Sequence, residues 1–452
     1  MRIHRFAPLL IATTTTLPHR SAAAQTPPPA DEGRPPPRTV LSLPQAERAA
    51  LQSQPQVLAA RAQTQIAEGA AEQTRAPLYP QITATAQYQR STGNFAPRPG
   101  AIPGGTGSQP SASLNPAYDV WNFGATANQL IYDFGQTTGK YRAASATVEA
   151  QRTSEQTARV QVIFGVRRAY FAARAQKELV DVAHESLDDQ LKHLLQVQGL
   201  VQVGTQPAIA LATQQAAVAN ARVQVIVAEN NYQTAKAQLN QAVGLQGGTD
   251  YDVGNEVMNP VDEEDQALEP LVAKAIAARP ELVSLLRQRE SQEATLRSAR
   301  GEYGPTLAAT AAASEAGIAI DGLVPNWNVG LLLSWPIFQG GLTLGQIHQA
   351  QGGLESIDAQ KALEELQIRL DVDTARLAVL AAKATISASE DAVASAREQR
   401  RLAEQRYATG VGNIIELTDA QVAYTTALAQ VVQARYQLAT ARAQLLAALG
   451  RT

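Results

Sequence analysis

The sequence predicts a mostly α-helical protein with a smaller membrane-inserted β part, in which one helix, strand, strand, helix, helix unit occurs twice. Three observations predict this fold class: a composition suited to long helices, an internal repeat that spans most of the chain, and two pairs of short alternating segments that contain all three tryptophans. The 452 residues are 45% hydrophobic but only 5% aromatic. Abundant Ala and Gln favour long helices over compact mixed cores.

The first 40 residues are predicted to lie outside the fold. Residues 1–24 combine Arg2 and Arg5 with an apolar stretch and a closing run of small residues, which is the pattern of a signal peptide. A disordered tail is the alternative, because threonines and Pro18 interrupt the apolar stretch. Residues 25–40 are rich in proline and predict an unfolded leader. No later stretch approaches the roughly 18 apolar residues of a spanning helix, so membrane insertion would have to use strands.

The internal repeat appears as pairs of like residues at two constant offsets. The pairs separated by 225 positions are Pro55 with Pro280 and Pro80 with Pro305. The pairs separated by 206 positions include Trp121 with Trp327, Gly135 with Gly341, Gly204 with Gly410, and Gly244 with Gly450. Chance does not hold one offset over so long a stretch. The change of offset places a 19-residue insertion between Pro80 and Trp121, in a Gly, Pro and Ser-rich loop.

The repeat sets the predicted organisation of the chain. The first copy covers residues 41–244, with strands at about 80–90 and 118–133, a long helix at about 136–203 and a return helix at 207–243. The second copy covers residues 270–450, with strands at about 305–315 and 327–338, a long helix at about 342–407 and a return helix at 413–449. Residues 245–269 are predicted to form an irregular connection between them.

Each long helix carries apolar residues at alternating steps of three and four, which is the spacing of a coiled coil. In the second copy these residues are Leu363, Leu366, Leu370, Leu377, Leu380 and Ala384, and in the first copy Leu187, Leu191, Leu194 and Val201. A helix of about 65 residues is on the order of 100 Å long. The shorter helices are therefore expected to stack end to end along each long helix as its partners.

The predicted strands are near the length that crosses a bilayer when tilted. Aromatic residues concentrate in and beside them, and those expected at the membrane interface are Trp121, Phe123, Tyr132, Trp327, Trp335 and Phe338. A soluble hairpin is the alternative. Four membrane strands cannot close a barrel and open edges are not tolerated in hydrocarbon, so the chain is expected to oligomerise. Two, three or four copies would supply 8, 12 or 16 strands, and the arithmetic does not choose between them.

Composition and motifs argue against catalysis and cofactor binding. The absence of cysteine excludes disulfides, thiol chemistry and Cys-based metal sites. A net charge of −3 gives no reason to expect nucleic acid as a partner. Residues 135–140 resemble a phosphate-binding loop, but the glycine spacing is one residue short and Tyr141 replaces the Ser or Thr that would bind magnesium. His184 and His193 are nine residues apart, which is not the spacing of two metal ligands on one helix. No catalytic, cofactor or metal site is predicted.

Together with the repeat, three kinds of segment carry a resemblance to a known family. They are the Pro-led helix starts at Pro55 and Pro280, the strand-to-helix corners at 131–135 and 335–341, and the turns at 203–205 and 407–410. At these residues the chain resembles the TolC family of outer-membrane efflux proteins. The resemblance implies a homotrimer with a 12-stranded barrel in the outer membrane, continued by a hollow helical barrel through the periplasm. It also implies docking to a periplasmic adaptor protein and an inner-membrane pump, for which the trimer is a passive conduit.

The resemblance also implies a gate at the helical turns. Tyr407, Glu416 and Asp419 match the family's tyrosine before the turn glycine and its two acids after it. Because the two acids are three residues apart on one helix, a trimer would present six carboxylates to one lumen, a ring that favours cations. Solvated surface acids are the alternative. The family often has an arginine where this chain has Gly412 and an acid where it has Ala210, so closure is expected to rest on packing around Tyr407.

The turns themselves are where adaptors of the family meet the tip. The residues that this implies for docking are Val203, Gly204, Thr205, Thr409, Gly410 and Val411. The competing hypothesis for the whole chain is a soluble periplasmic helical-hairpin protein, either an adaptor or a structural protein. Adaptors usually carry one helical hairpin flanked by β-rich segments, whereas this chain has two helical hairpins and none of those segments.

Overall fold

The computed structural model describes residues 39–92 and 117–452. The predicted signal peptide, residues 25–38 of the predicted leader, and residues 93–116, where the predicted insertion falls, lie outside the described residues. The helices are α1 (Leu43–Ser53), α2 (Pro55–Arg75), α3 (Gln136–Gln202), α4 (Ala208–Val243), α5 (Leu268–Ala278), α6 (Pro280–Gly301), α7 (Leu342–Ala408) and α8 (Ile414–Ala448). The strands are β1 (Thr39–Leu41), β2 (Gln81–Thr92), β3 (Ala117–Tyr132), β4 (Tyr251–Val253), β5 (Thr306–Gly317) and β6 (Val324–Ser334).

Local chemistry explains where several of these helices begin. A capping box starts α1, because the Ser42 hydroxyl accepts the Gln45 N–H while the Gln45 side chain accepts the Ser42 N–H. Pro55 cannot continue α1, so the chain bends at Gln54 and α2 begins with that proline. Both long helices follow a glycine with positive φ, Gly135 at 85° and Gly341 at 88°. Such a φ lets the chain turn sharply from a strand into a helix.

Three predicted boundaries are wrong. The leader was predicted to extend to residue 40, yet β1 begins at Thr39. The connection was predicted to be irregular over 245–269, but it contains β4, and α5 already begins at Leu268. The strand predicted at 327–338 is β6, which ends at Ser334. Pro336 explains that earlier end, because proline has no N–H to donate to a neighbouring strand.

The helices pack in two rows that share α3 and α7. Next to the sheet the order is α2, α3, α6, α7, and next to the helical turns it is α4, α3, α8, α7. Within the described residues α3 therefore has helical neighbours on both sides. In contrast, α7 lies at one edge of the row, and α2 and α4 lie at the other.

Two hydrophobic clusters repeat each other residue by residue. One packs α1, α2 and α4 on α3, and the other packs α5, α6 and α8 on α7. Positions separated by 225 or 206 residues correspond, and they include Ala46 with Leu271, Val57 with Leu282, Val162 with Ile368, Val166 with Val372, Leu239 with Leu445, and Val243 with Leu449. The two halves of the helical part thus use the same packing plan.

The predicted coiled-coil stripe on α7 does not pack within the chain. The core-facing side of α7 is instead formed by Ile368, Val372 and Val379, all fully buried. Leu363, Leu366 and Leu370 are 68%, 67% and 56% exposed, and Leu377 and Leu380 are also exposed. The reason is the position of α7 at the edge of the row, where its leucines have no neighbouring helix among the described residues.

The four longer strands form one antiparallel sheet in the order β2, β3, β5, β6. Ile82 lies opposite Ala127, Ala127 opposite Ala311, and Ala311 opposite Val329, so these four residues share a face. That face is predominantly apolar and also holds Ala84, Tyr88, Trp121, Phe123, Leu307, Trp327, Leu331 and Leu333. The other face is predominantly polar and holds Thr83, Thr85, Gln87, Asn122, Thr126, Asn128, Thr310, Ser314, Asn326 and Asn328.

The connection between the copies, residues 245–267, is held to the helices by buried ion pairs. The Glu264 carboxylate accepts two hydrogen bonds from the Arg442 guanidinium, both at 2.9 Å, and lies 2.7 Å from the Lys383 ammonium. Burial opposes ionisation of Glu264, but these two cations outweigh it and lower its pKa to about 2. At the other end of the connection, Lys236 donates to the carbonyls of Thr249 and Tyr251.

Candidate functional site

The two turns between long and return helices have the same geometry. Gly204 and Gly410 both have a φ of 76°. After each glycine the next N–H bonds back to the long helix: Thr205 donates to the Leu200 carbonyl at 2.9 Å, and Val411 donates to the Arg406 carbonyl at 3.0 Å. These backbone bonds satisfy carbonyls left open at the helix end. The side chains of Val203 and Val411 are each 72% exposed, so the turns present apolar groups to solvent.

The structure brings the ends of both helical hairpins together around Tyr407. This tyrosine is 4% exposed and belongs to a cluster with Val197 and Ala210 from the first copy and Leu417 and Ala420 from the second. Its hydroxyl has no hydrogen-bond partner among the described residues. Burial raises the pKa of the Tyr407 phenol. Tyr407 therefore packs inside the chain and joins the two hairpins at their tips.

The two predicted gate acids occupy the first turns of α8. Asn413 caps the helix by accepting the Glu416 N–H at 2.8 Å. The Glu416 carboxylate pairs with the Arg406 guanidinium at 3.0 Å, and both side chains are about half exposed. Asp419 is exposed and, within the part of the chain that the structure describes, it makes no ion pair. Glu416, which is paired, and Asp419, which has no ion pair among the described residues, thus lie on the same exposed side of α8.

The structure gives physical reasons for the two departures from the family pattern. A Cβ added at Gly412 would lie 3.0 Å from both the Arg406 Cβ and the Tyr407 nitrogen. The Gly412 N–H also donates to the Arg406 carbonyl at 2.9 Å, so the chain passes very close to the end of α7. Ala210 is 3% exposed within the Tyr407 cluster, where a carboxylate would lose its water.

A buried amide network above the turns was missed by the sequence analysis. The Gln190 side chain donates to the Gln421 side chain at 2.9 Å, and the Gln214 side chain donates to that of Gln190 at 2.8 Å. All three glutamines are buried and they join α3, α4 and α8. The available signal was Gln421 itself, a polar residue on the stripe between Leu417 and Tyr424 that otherwise faces the core.

An arginine adds a second link between the two hairpins. The Arg400 guanidinium lies 3.0 Å from the Asp189 carboxylate on α3 and 4.0 Å from the centre of the Tyr424 ring on α8. Because charged and aromatic partners hold it at once, its position is fixed more firmly than that of an isolated surface ion pair. Arg400 and Asp189 were not singled out in the sequence.

The predicted interface aromatics lie in two bands on the sheet. Trp121 contacts Tyr88, with ring centres 4.6 Å apart, and Phe123 and Trp327 lie toward the same far end. Tyr132, Trp335 and Phe338 lie at the end where the strands meet the helices. A β-bulge between Leu130 and Tyr132 changes the register, so that Tyr132 lies opposite Leu307, which is on the apolar face.

The two bands are separated by most of the length of β6. Trp327 and Trp335 are eight residues apart on one chain segment. At about 3.3 Å per residue this is roughly 26 Å along the strand, or about 20 Å in height for a strand tilted by about 40°. Trp335 is also fixed by its indole N–H, which donates to the Tyr303 carbonyl at 3.0 Å.

The described residues contain neither a cluster of metal ligands nor a helix suited to span a membrane. Residues 39–92 and 117–452 contain no group of three or more His, Asp or Glu side chains placed to hold a metal ion. None of the helices in these ranges is long and apolar enough to cross a membrane.

Comparison with known proteins gives one family. Residues 47–245 and 271–451 match the family described as outer membrane efflux protein. TolC of Escherichia coli K12 is 26% identical over 439 residues, which are 90% of this chain and 82% of that protein. The probable efflux pump outer membrane protein SepC of Pseudomonas putida is 26% identical over 329 residues. That match spans 70% of this chain and 66% of SepC.

Solved structures show the same fold. A membrane protein from Pseudomonas aeruginosa superimposes with a TM-score of 0.77 at 18% identity and covers 92% of this chain and 91% of its own. The outer membrane protein VceC from Vibrio cholerae gives a TM-score of 0.75 at 18% identity, over 90% of this chain and 96% of its own.

Proposed function

Because the chain belongs to the outer membrane efflux protein family, we propose that it is the outer-membrane channel of an efflux or secretion system. It conducts solutes passively from a periplasmic adaptor and an inner-membrane pump to the exterior. The observation that carries the proposal is the two-faced sheet, which has exposed apolar side chains on one face and polar side chains on the other. A wall between lipid and water needs that arrangement. A soluble hairpin protein would leave the apolar face in water, which disfavours the adaptor hypothesis.

The functional unit is a homotrimer with a 12-stranded barrel. The outer strands β2 and β6 of one chain have no neighbour beyond them in the described sheet. Open strand edges are not tolerated in a bilayer, so β6 of one copy pairs with β2 of the next. Three copies, as in the family that the sequence resembles, close the sheet with an even number of strands within the known range for such barrels.

The helices support the same ring through their internal repeat. α3 packs against α6 and α8, which belong to the second copy of the repeat. The counterpart of α3 in the second copy of the repeat is α7, which lies 206 residues later. The counterparts of α6 and α8 in the first copy are α2 and α4. The interface inside the chain therefore has a counterpart between chains, in which α7 packs against α2 and α4 of the next copy. Phe171 on α3 is fully buried, whereas its counterpart Leu377 on α7 is 51% exposed.

Engineered disulfides test this ring at residue level. The hydroxyls of Ser154 and Ser284 are 3.1 Å apart across the α3–α6 interface. Their counterparts are Gln360 on α7 and Ala59 on α2, both exposed in the single chain. The chain has no cysteine of its own. We expect oxidised Gln360→Cys/Ala59→Cys protein to run as covalent trimers on a non-reducing gel.

The matched control is Ser154→Cys/Ser284→Cys, which lies at the equivalent position within one chain. It is expected to cross-link without changing the apparent mass, because both cysteines belong to the same molecule. Covalent dimers only, or no intermolecular product when the control oxidises fully, would contradict the proposed ring.

The helical turns form the periplasmic end of the conduit. Tyr407, Glu416 and Asp419 form the gate region, with Tyr407 packing the hairpins together and the two acids lining the entrance. The exposed turns at residues 203–205 and 409–411 contact the adaptor. The exposed side chains of Val203 and Val411 support this role, because solvent-exposed apolar groups at a chain reversal are suited to a protein partner.

Ion selectivity tests the channel and its gate together. In planar bilayers with a KCl gradient, the wild-type protein is expected to conduct and to prefer potassium. Glu416→Gln/Asp419→Asn is expected to abolish that preference, because it removes six carboxylates from the entrance of a trimer and leaves three Arg406 guanidiniums without their partner. Glu390→Gln removes an equally exposed acid that pairs with Arg435, and it should leave the reversal potential unchanged. Absence of any conductance would overturn the proposed function.

A further inference from the structure

Two grooves between α7 and α8 are lined without a single charged side chain. The first, of about 430 Å³, lies where α3 meets the two helices, and the second, of about 420 Å³, continues it toward the turns. The α7 side of both grooves consists of Ala, Thr and Ser. The α8 side carries Thr426, Gln430, Gln433, Gln437 and Gln444.

The polar residues on α8 continue the rows that begin with the gate acids. Steps of seven from Asp419 reach Thr426, Gln433 and Thr440. Steps of seven from Glu416 reach Ala423 and then Gln430, Gln437 and Gln444. Residues seven apart lie on one side of a helix, with a drift of only about 20°. The two acids are thus the lowest members of rows that contain only amides, hydroxyls and one alanine above them.

The first copy repeats this pattern. The positions on α4 that correspond to the α8 rows carry Asn220, Gln224, Asn231, Thr234 and Gln238, and all five are exposed. Ala217 and Val227 are the apolar residues among the corresponding positions, and Ala217 matches Ala423 of α8. Neither α4 nor α8 has a charged residue in these rows above the level of the gate acids.

The contacts of the connection indicate whether the amide rows of α4 and α8 face the inside or the outside of the proposed helical barrel. Arg442 binds Glu264 of the connection, and its counterpart Lys236 binds the carbonyls of Thr249 and Tyr251. Gln444 and Gln238 follow these cations by two residues, so they lie about 200° away around their helices. In the proposed trimer we place the connections on the outside of the helical barrel, which leaves the bore open. The amide rows therefore face the lumen.

Resting on the proposed function, the geometry points to a stretch of lumen along α4 and α8 that is suited to polar organic solutes without net charge, with no fixed charge in these rows above the gate acids. The rows run 18 residues from Thr426 to Gln444, or about 27 Å. Amide side chains both donate and accept hydrogen bonds, so they replace the water partners of hydroxyl and amide groups on a solute. Lacking charge, they neither retain nor repel ions of one sign along this length.

Charge insertion tests which residues line the bore. In a Glu416→Gln/Asp419→Asn background, adding Gln433→Lys and Gln437→Lys is expected to make the channel prefer chloride several-fold. The control adds Arg435→Glu instead, a change of two charges per chain on the opposite side of α8, where Arg435 pairs with Glu390. It should leave the reversal potential of that background unchanged. A shift with Arg435→Glu and none with the lysines would overturn the inference while leaving the channel itself established.

Liposome swelling tests the solute class with two six-carbon probes. Neutral sorbitol is expected to enter at the same rate through the wild-type protein and the acid-free background. It has no charge that the entrance carboxylates could attract or repel, and the amide rows are the same in both proteins. In the acid-free background, sorbitol is expected to enter at least as fast as potassium gluconate. Slower entry of sorbitol than of gluconate would contradict a neutral wall, whereas no swelling with either probe would count against the proposed function.

Discussion

Replacing Arg442 with methionine is expected to destabilise the attachment of the connection by about 2–3 kcal/mol at neutral pH, because the buried Glu264 carboxylate keeps only Lys383 as a cationic partner. The Glu264 side chain is only 5% exposed and takes two hydrogen bonds from Arg442. Removing Arg442 takes away two of the hydrogen bonds to this buried carboxylate and leaves only the partly exposed Lys383 to compensate its charge. The measurement is the apparent melting temperature of the detergent-solubilised protein, together with the rate of proteolysis within residues 245–267. Both should indicate a loosened connection.

The pH dependence identifies Glu264 as the source of that loss. Its pKa in the folded protein is about 2, below the ordinary value of 4.5. The stabilisation is therefore fully present above pH 4.5 and is lost as pH falls toward 2. The difference between wild type and Arg442→Met should shrink over the same interval. The control Arg435→Met breaks an exposed pair and should cost less than about 1 kcal/mol. Adding Glu264→Gln to Arg442→Met should recover much of the loss, and no recovery would contradict this explanation.

Charging the free edge of α7 is expected to abolish both assembly and export. Leu366 and Leu370 are exposed in the single chain, so glutamates at these positions cost little in the isolated protomer. In the proposed trimer the same positions would face the next copy, where unpaired carboxylates would be desolvated. Leu366→Glu/Leu370→Glu should therefore give folded monomers in detergent and no conductance. Size-exclusion chromatography with light scattering and planar-bilayer recording are the measurements.

Val257→Glu serves as the control for this edge. Val257 lies in the connection and is 82% exposed, so it is even more accessible than the two leucines. Its substitution adds one negative charge, half of what the double variant adds, to an apolar surface position away from the edges of the helical rows. The control should remain trimeric. Trimers with normal conductance from the leucine variant would show that α7 does not face a second copy.

Much of the fold followed from patterns that are local in sequence. The 206-residue offset predicted both long helices, their turns at Gly204 and Gly410, and the corresponding return helices, because each of these features depends on glycine placement and helical spacing. Alternation predicted the apolar faces of β2 and β6. It did not predict that β3 and β5 would join them in one continuous sheet, since pairing between distant strands depends on register across the whole chain.

The gate region was only partly accessible to the same reasoning. Tyr407, Glu416 and Asp419 were named because the family resemblance places a tyrosine before the turn glycine and two acids after it, and their gate role stays a prediction. The Gln190, Gln214 and Gln421 network was not found. Its three members lie on three helices and their hydrogen bonds exist only after those helices pack. A buried amide and an exposed amide look alike in a chain this rich in glutamine.

The sequence by itself determined the repeated helical plan, the two-faced strands and the family resemblance, because periodicity and turn chemistry are written in neighbouring residues. Only the tertiary structure decided which face of each helix is covered. The leucines of α7 have the spacing of a packed seam, yet Ile368, Val372 and Val379 take the core instead. Which stripe of a long helix is buried depends on the helices beside it, and α7 has them on one side only within the described chain.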